Sequence, residues 1–209
     1  MAEGLAFAPQ SLVEMAADSA KPLLRNVASP PRRRRDQALL RDAQRGSTEA
    51  LEELFRRHWR RAHRAAYLVC GDPVAAEDIA QESFLAAVRA LERFDRRRPF
   101  GPWLHRIAVN RAIDFARARA ARAEQGLAGM PEAPDPGRPR QISDELTAAL
   151  SGLVPEHRAV IVLRYVLDYT PGEIAQMLGL PRGTVNSRLR RGLDRLRPAI
   201  ETGDEGPIR

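Results

Sequence analysis

Apolar residues recur along this chain at intervals of three and four, with no strict alternation, so the pattern predicts helices throughout and no strands. Ser47 is placed to cap a helix that sends Leu51, Leu54, Phe55 and His58 toward a core. Gly71-Asp72-Pro73 closes that helix and opens the next, with Asp72 as cap and Pro73 at the first helical position. The next helix carries Ile79, Leu85, Val88 and Leu91 inward. A loop from Phe94 to Gly101 follows, and Pro102 starts a helix holding Trp103, Leu104, Ile107, Asn110, Asp114 and Phe115. Between Gly126 and Pro139 the chain is dense in proline and glycine and poor in apolar residues, the composition of a linker. A second helical block begins near Ser143. Leu146, Leu150 and Leu153 mark its first helix, and Val160, Ile161, Leu163 and Leu167 mark the one opened by Pro155.

These signals divide the chain into a leader (1–35), a helical block (36–122), a linker (123–142), a second block (143–198) and a tail (199–209). The expected fold class is all-α, with two helical domains joined by a Pro/Gly-rich linker. A length of 209 residues suits two small cores better than one large one.

The C-terminal block ends in the most specific local pattern. Thr170 is placed as a helix cap, Pro171 suits the first position, and Glu173 can reach back to close a capping box. Ile174, Ala175 and Leu178 form the buried side of that helix, and Gly179 supplies the turn. Gly183-Thr184 opens a second helix in which Val185, Leu189, Leu193 and Leu196 follow the helical period. Ser187, Arg190 and Arg191 face away from that stripe, with Asn186 and Arg188 on its flanks. A helix-turn-helix with hydroxyl, amide and guanidinium groups on its free face has the chemistry that reads base edges and phosphates in a major groove.

Charge agrees with a polyanionic partner. The net charge is +7 and the sequence pI is about 10.7. Lys21 is the sole lysine, so arginine carries almost all of the positive charge. The run Arg32 to Arg35 suits either DNA contact or a solvated face.

Other classes find little support. His58 and His63 are five apart, the wrong spacing for two ligands on one helix face, and His105 and His157 fall in different blocks. No nucleophile motif or phosphate-cradling glycine loop appears, so no catalytic residue, metal or cofactor is expected. Cys70, the single cysteine, sits among Tyr67, Leu68 and Val69 as a buried structural thiol. The start of the chain lacks a signal-peptide pattern and no apolar run is long enough to span a bilayer, so a cytoplasmic protein is expected.

Four stretches, in order, resemble the extracytoplasmic-function (ECF, group 4) sigma factors of the sigma-70 family. Ala76-Glu-Asp-Ile-Ala-Gln-Glu-Ser-Phe-Leu85 is similar to the family's polymerase-binding helix in region 2. Phe100-Gly-Pro-Trp-Leu-His-Arg-Ile-Ala-Val-Asn110 is similar to its promoter-melting segment. Leu153-Val-Pro-Glu-His-Arg158 and Gly183-Thr-Val-Asn-Ser-Arg188 are similar to region 4. The chain departs from the family pattern at Asn186, where a basic residue is common, and in its long leader.

The resemblance implies a sigma factor with no enzymatic activity. Its partners would be core RNA polymerase (the clamp helices of the largest subunit and the β flap), promoter DNA and, in many relatives, an anti-sigma factor. It would work in the cytoplasm, associated with the nucleoid through polymerase. Glu77, Asp78, Gln81, Glu82 and Phe84 would bind polymerase. Arg96, Arg97, Phe100, Trp103, Arg106, Asn110 and Arg111 would open and hold the −10 element, using cations and flat side chains suited to a single strand. Trp103 suits a core position as well as a stacking platform. Arg182, Thr184, Asn186, Ser187, Arg188, Arg190 and Arg191 would bind the −35 element. The alternative is a helix-turn-helix regulator that acts without being a polymerase subunit.

Overall fold

A computed structural model describes residues 30–125 and 148–201, and the side chains of 36–125 and 148–197. The expected contributions of Leu12, Val13, Met15, Ser143 and Leu146 lie outside the described residues, as does most of the linker. Every regular element among the described residues is helical.

Helix α1 spans Pro30–Ala43 and begins inside the segment assigned to the leader. Two prolines at its start fit this placement, because the first turn of a helix has no intrahelical partner for the missing N–H groups. Helix α2, Thr48–Cys70, is capped by Ser47, whose Oγ accepts from the Ala50 N–H at 3.1 Å. It ends at Gly71, in the left-handed region at φ 71°, where an L side chain would be strained. Asp72 caps α3, Pro73–Ala90, by accepting from the Ala75 N–H at 3.0 Å. A 3-10 turn at Leu91–Arg93 and a short loop lead to α4, Phe100–Glu124.

In the second half, α5 covers Pro155–Ile161 and widens into a π turn at Val162–Val166. Helix α6, Pro171–Leu178, carries the expected capping box: Glu173 N–H donates to Thr170 Oγ1, and Thr170 N–H donates to Glu173 Oε2. Gly179 turns the chain at φ 65°, and α7 runs over Arg182–Glu201.

Two apolar clusters hold the fold. Leu40, Leu54, Phe84, Leu91, Phe100 and Leu104 centre the first, where α1 to α4 meet. The second joins the two halves of the chain. In it Leu68, Val69, Ile79, Val109 and Ile113 of the first half pack with Leu150, Val160, Val162, Leu163, Ile174, Val185 and Leu189 of the second. Three core assignments are corrected. Phe55, Leu85 and Val88 are 42%, 49% and 44% exposed, because α2 and α3 spend their inward faces on Leu54, Ile79 and Phe84. Met177 takes a buried place on α6 that the sequence reading left out.

Candidate DNA and polymerase interface

Helix α7 presents the C-terminal surface. Val185, Leu189 and Leu196 are buried, which turns Asn186, Arg190 and Arg191 into solvent and leaves Ser187 and Arg188 half-buried at the margin. Arg182 is exposed at the first turn, with Thr184 half-buried beside it. Gly192 lets this helix approach α5 closely, since a Cβ there would lie 3.1 Å from Ile161 Cγ1. The cationic field of α7 registers at a neighbour. Burial first, and then Arg188 and Arg191, lower the pKa of His157. Burial opposes ionisation of Glu156, but its backbone N–H, Arg117 and Arg188 overcome that and hold its carboxyl below the usual range.

On α3, Glu77, Asp78, Gln81 and Glu82 are exposed. Phe84 is buried, so it supports this surface from beneath and is not part of it. Phe55 of α2 stacks on Trp59 with ring centroids 4.7 Å apart and lies 4.8 Å from Phe84. With Leu85 and Val88 following the acidic residues along α3, the exposed surface is acidic at one end and apolar toward the other. Helical spacing could have indicated this. Gln81, Leu85 and Val88 share one face, at intervals of four and three.

The third surface is the loop before α4 and the exposed side of that helix. Asp95 Oδ1 accepts from the Arg97 backbone N–H at 3.0 Å and from Arg97 Nε at 3.2 Å, which shapes the loop and leaves Arg96, Arg97 and Arg98 exposed. Phe100 is 4% exposed, packed near Phe94, His58 and Trp103. Its place in the core corrects its expected contact with DNA. Trp103 is partly buried, its ring 4.4 Å from Phe94, which ties the loop to the helix. Arg106 is exposed and Asn110 half-buried one turn on. Arg111 pairs with Glu82 at 3.6 Å, linking the α4 and α3 surfaces.

Polar groups cross between the halves of the chain. Arg158, buried in α5, donates to Val69 O at 2.9 Å in α2, and to Ser151 O and Leu153 O at 3.0 and 2.9 Å. Arg61 donates to Leu167 O at 3.1 Å, and Arg117 pairs with Glu156. His105 Nδ1 and the Tyr169 hydroxyl share a hydrogen bond of 2.7 Å inside the core. Among the described residues no cluster of His, Cys, Asp and Glu could hold a metal, and no helix is long and apolar enough to cross a membrane. Burial pushes the Cys70 thiol up to about 11.

The Sigma-70 region 2 family matches residues 54–122, from within α2 through most of α4, and the Sigma-70 region 4 family matches residues 149–198, from before α5 through most of α7. The ECF RNA polymerase sigma factor SigM of Mycobacterium tuberculosis (strain H37Rv) is 35% identical over 163 residues, 78% of this chain and 83% of that protein. The ECF RNA polymerase sigma factor SigE of Mycolicibacterium smegmatis is 37% identical over 158 residues, 70% of this chain and 60% of that protein. Among solved structures, CnrH in complex with the cytosolic domain of CnrY superposes with a TM-score of 0.63 at 30% identity, covering 80% of this chain and 98% of that one. The sigma factor RpoE of Bartonella quintana, solved with the anti-sigma factor NepR, shares the fold, with a TM-score of 0.59 at 20% identity over 72% of this chain and 96% of that one.

Two regions in this order define a sigma-70-type initiation factor. The chain belongs to the ECF sigma factors, which direct promoter-specific transcription and are not enzymes. A regulator acting apart from polymerase is not favoured by these matches.

Proposed function

We propose that three exposed faces divide the work of promoter-specific initiation. Asp78 and Glu82, with Glu77 and Gln81, meet basic groups on the polymerase, while Leu85, Val88 and Phe55 supply the apolar part of the contact. Arg106, Asn110 and the Arg96–Arg97 loop act on the −10 element: Asn110 offers an amide to an unstacked base and the arginines hold phosphate. Arg190, Arg191, Ser187 and Asn186 enter the −35 major groove, with Arg182, Thr184 and Arg188 at the helix start and flank. The observation that carries this reading is the coincidence of each exposed polar face with a matched region. Region 2 residues form the acidic and −10 faces, and region 4 residues form the arginine face of α7.

A protein that masks these faces belongs to the same reading, since RpoE was solved with an anti-sigma factor and CnrH with the cytosolic domain of CnrY. The chain would then act in the cytoplasm, reaching the nucleoid through polymerase. Run-off transcription with purified core polymerase and a randomised promoter library tests the proposal. The chain should confer initiation on a defined subset of sequences sharing −35 and −10 elements. Initiation no better than with core polymerase alone would reject it.

A further inference from the structure

One row of side chains on α7 has an order of its own. Arg182, Asn186 and Arg190 follow at intervals of four and are all exposed, on the side left open by the buried Val185 and Leu189. The row ends at Asp194, whose carboxylate pairs with Arg197 at 3.7 Å and would repel a phosphate. From residue 182 to residue 190 the helix rises about 12 Å, which is also the width of a B-form major groove. Two guanidiniums thus stand a groove's width apart, with a single amide midway between them.

Neither that amide nor the glycine beside it is explained by the fold. Asn186 lies past the first turn of α7, where a side chain cannot cap the helix, and it makes no hydrogen bond with another described residue. Gly183, one turn earlier on the same side, has no left-handed φ, and a Cβ there would meet nothing within 4 Å. Neither the turn nor the packing of this chain therefore requires glycine. The missing Cβ instead leaves the helix backbone open to close approach by another molecule. Asparagine is short, and only close approach brings its amide to a base edge.

The amide accepts through Oδ1 and donates through Nδ2. In a major groove adenine alone sets a donor, N6–H, beside an acceptor, N7. Guanine shows two acceptors there, and thymine an acceptor and a methyl group. We propose that Asn186 sets the −35 preference of this factor by taking one adenine through N6 and N7, with Arg182 and Arg190 on the phosphates to either side. The inference rests on the −35 role proposed for α7 and names the base that this role selects. A basic residue at position 186, common in the family pattern, would take guanine instead, so the departure at Asn186 is a change in the base read.

Holoenzyme reconstituted from core polymerase and the full chain, bound to promoters with a randomised −35 element, provides the test. The unaltered chain should select A·T at one −35 pair. Asn186→Ala should reduce that selection by about tenfold and Asn186→Arg should move it to G·C, both with the other pairs unchanged. Placing 7-deazaadenine, which lacks N7, at that pair should weaken the unaltered chain about fivefold and leave Asn186→Ala unaffected. Gly183→Ala should raise the thermal midpoint and yet weaken −35 binding. A uniform loss over all pairs in Asn186→Ala would make this residue a backbone contact and overturn the inference. So would an unaltered A·T selection, or the same response to 7-deazaadenine in both proteins. Arg190→Ala combined with Arg191→Ala scores the −35 role separately. If that variant loses −35 preference while Asn186→Ala keeps it, the role of α7 stands and only the adenine contact falls. An unaltered chain with no −35 preference, or a double variant that retains it in full, would reject the role itself.

Discussion

Arg158 illustrates how much one residue at the junction carries. Its guanidinium forks to three backbone carbonyls, one of them in the other half of the chain, and it does so from a buried position. Arg158→Met keeps the length and removes the donors. Each buried carbonyl left without a partner costs about 1–3 kcal/mol, so the variant should lose roughly 3 kcal/mol in urea unfolding. Arg158→Lys should recover part of this, since an ammonium lacks the planar fork. His105 makes a pH prediction. Burial first, then the charges of Arg61 and His58 on α2, push its pKa well below 6.5, while Tyr169 shares its hydrogen bond. An exposed imidazole regains an ordinary value of about 6.5, so the opened or unfolded chain binds a proton that the packed one excludes. Stability is therefore full above about pH 6.5 and falls as the pH drops, by up to about 1.4 kcal/mol per pH unit. Unfolding free energies from pH 7.5 to 5.5 should show that slope, and His105→Asn should flatten it. His157, lowered in the same direction, should leave a remnant. Neither role was legible beforehand. Arg158 stands in a stretch resembling region 4 and His105 in a stretch resembling the melting segment, but the partners that tie them across the molecule, Val69 and Tyr169, lie 89 and 64 residues away.

At the scale of the element, what short-range chemistry dictates was readable. The capping box at Thr170, the turn at Gly179 and the Val185–Leu189–Leu193–Leu196 stripe are each set within a few residues, and each appears, with Leu193 only half-buried. Thr170→Ala should cost about 1 kcal/mol, seen as a lower thermal midpoint. Helix α3 is less legible. Periodicity shows that a helix has an apolar face, but it does not show whether the same chain covers that face, and Leu85 and Val88 stay at the surface instead of entering the core. Their exposure separates two kinds of variant. Reversing charge at Asp78 and Glu82 should abolish capture of core polymerase with a stability change within about ±0.5 kcal/mol. Leu85→Ser with Val88→Ser should weaken capture by about tenfold, from the loss of roughly 1.5 kcal/mol of apolar burial. If either pair binds like the parent in a pull-down, that end of the surface is not the contact.

At the scale of the whole molecule the two expected helical domains are both present, and they share a core. Composition marked a linker, but it could not show that the helices on either side close on each other through a shared core. That arrangement conflicts with simultaneous occupancy of the two promoter elements. Sites about 25 base pairs apart are separated by roughly 85 Å along the duplex at 3.4 Å per step, whereas α4, with 25 residues, is only about 37 Å long. On the division of promoter elements proposed above, the two halves part for one chain to hold both. With dyes on cysteines introduced at the exposed positions Arg45 and Gln176, energy transfer should be high in the free protein and fall when core polymerase and promoter are added. Unchanged transfer would mean that the shared core persists in the working complex.

Cys70 gives that separation a clock. The single thiol of the chain lies in the core shared by the two halves, beside the turn that Arg158 overlies. Alkylating reagents attack the thiolate, and burial both shields this sulfur and keeps it protonated. An excursion that drew the halves apart would uncover it. The rate of labelling of the unmodified protein would then count such openings, and a partner that holds the factor shut should lengthen the interval between them.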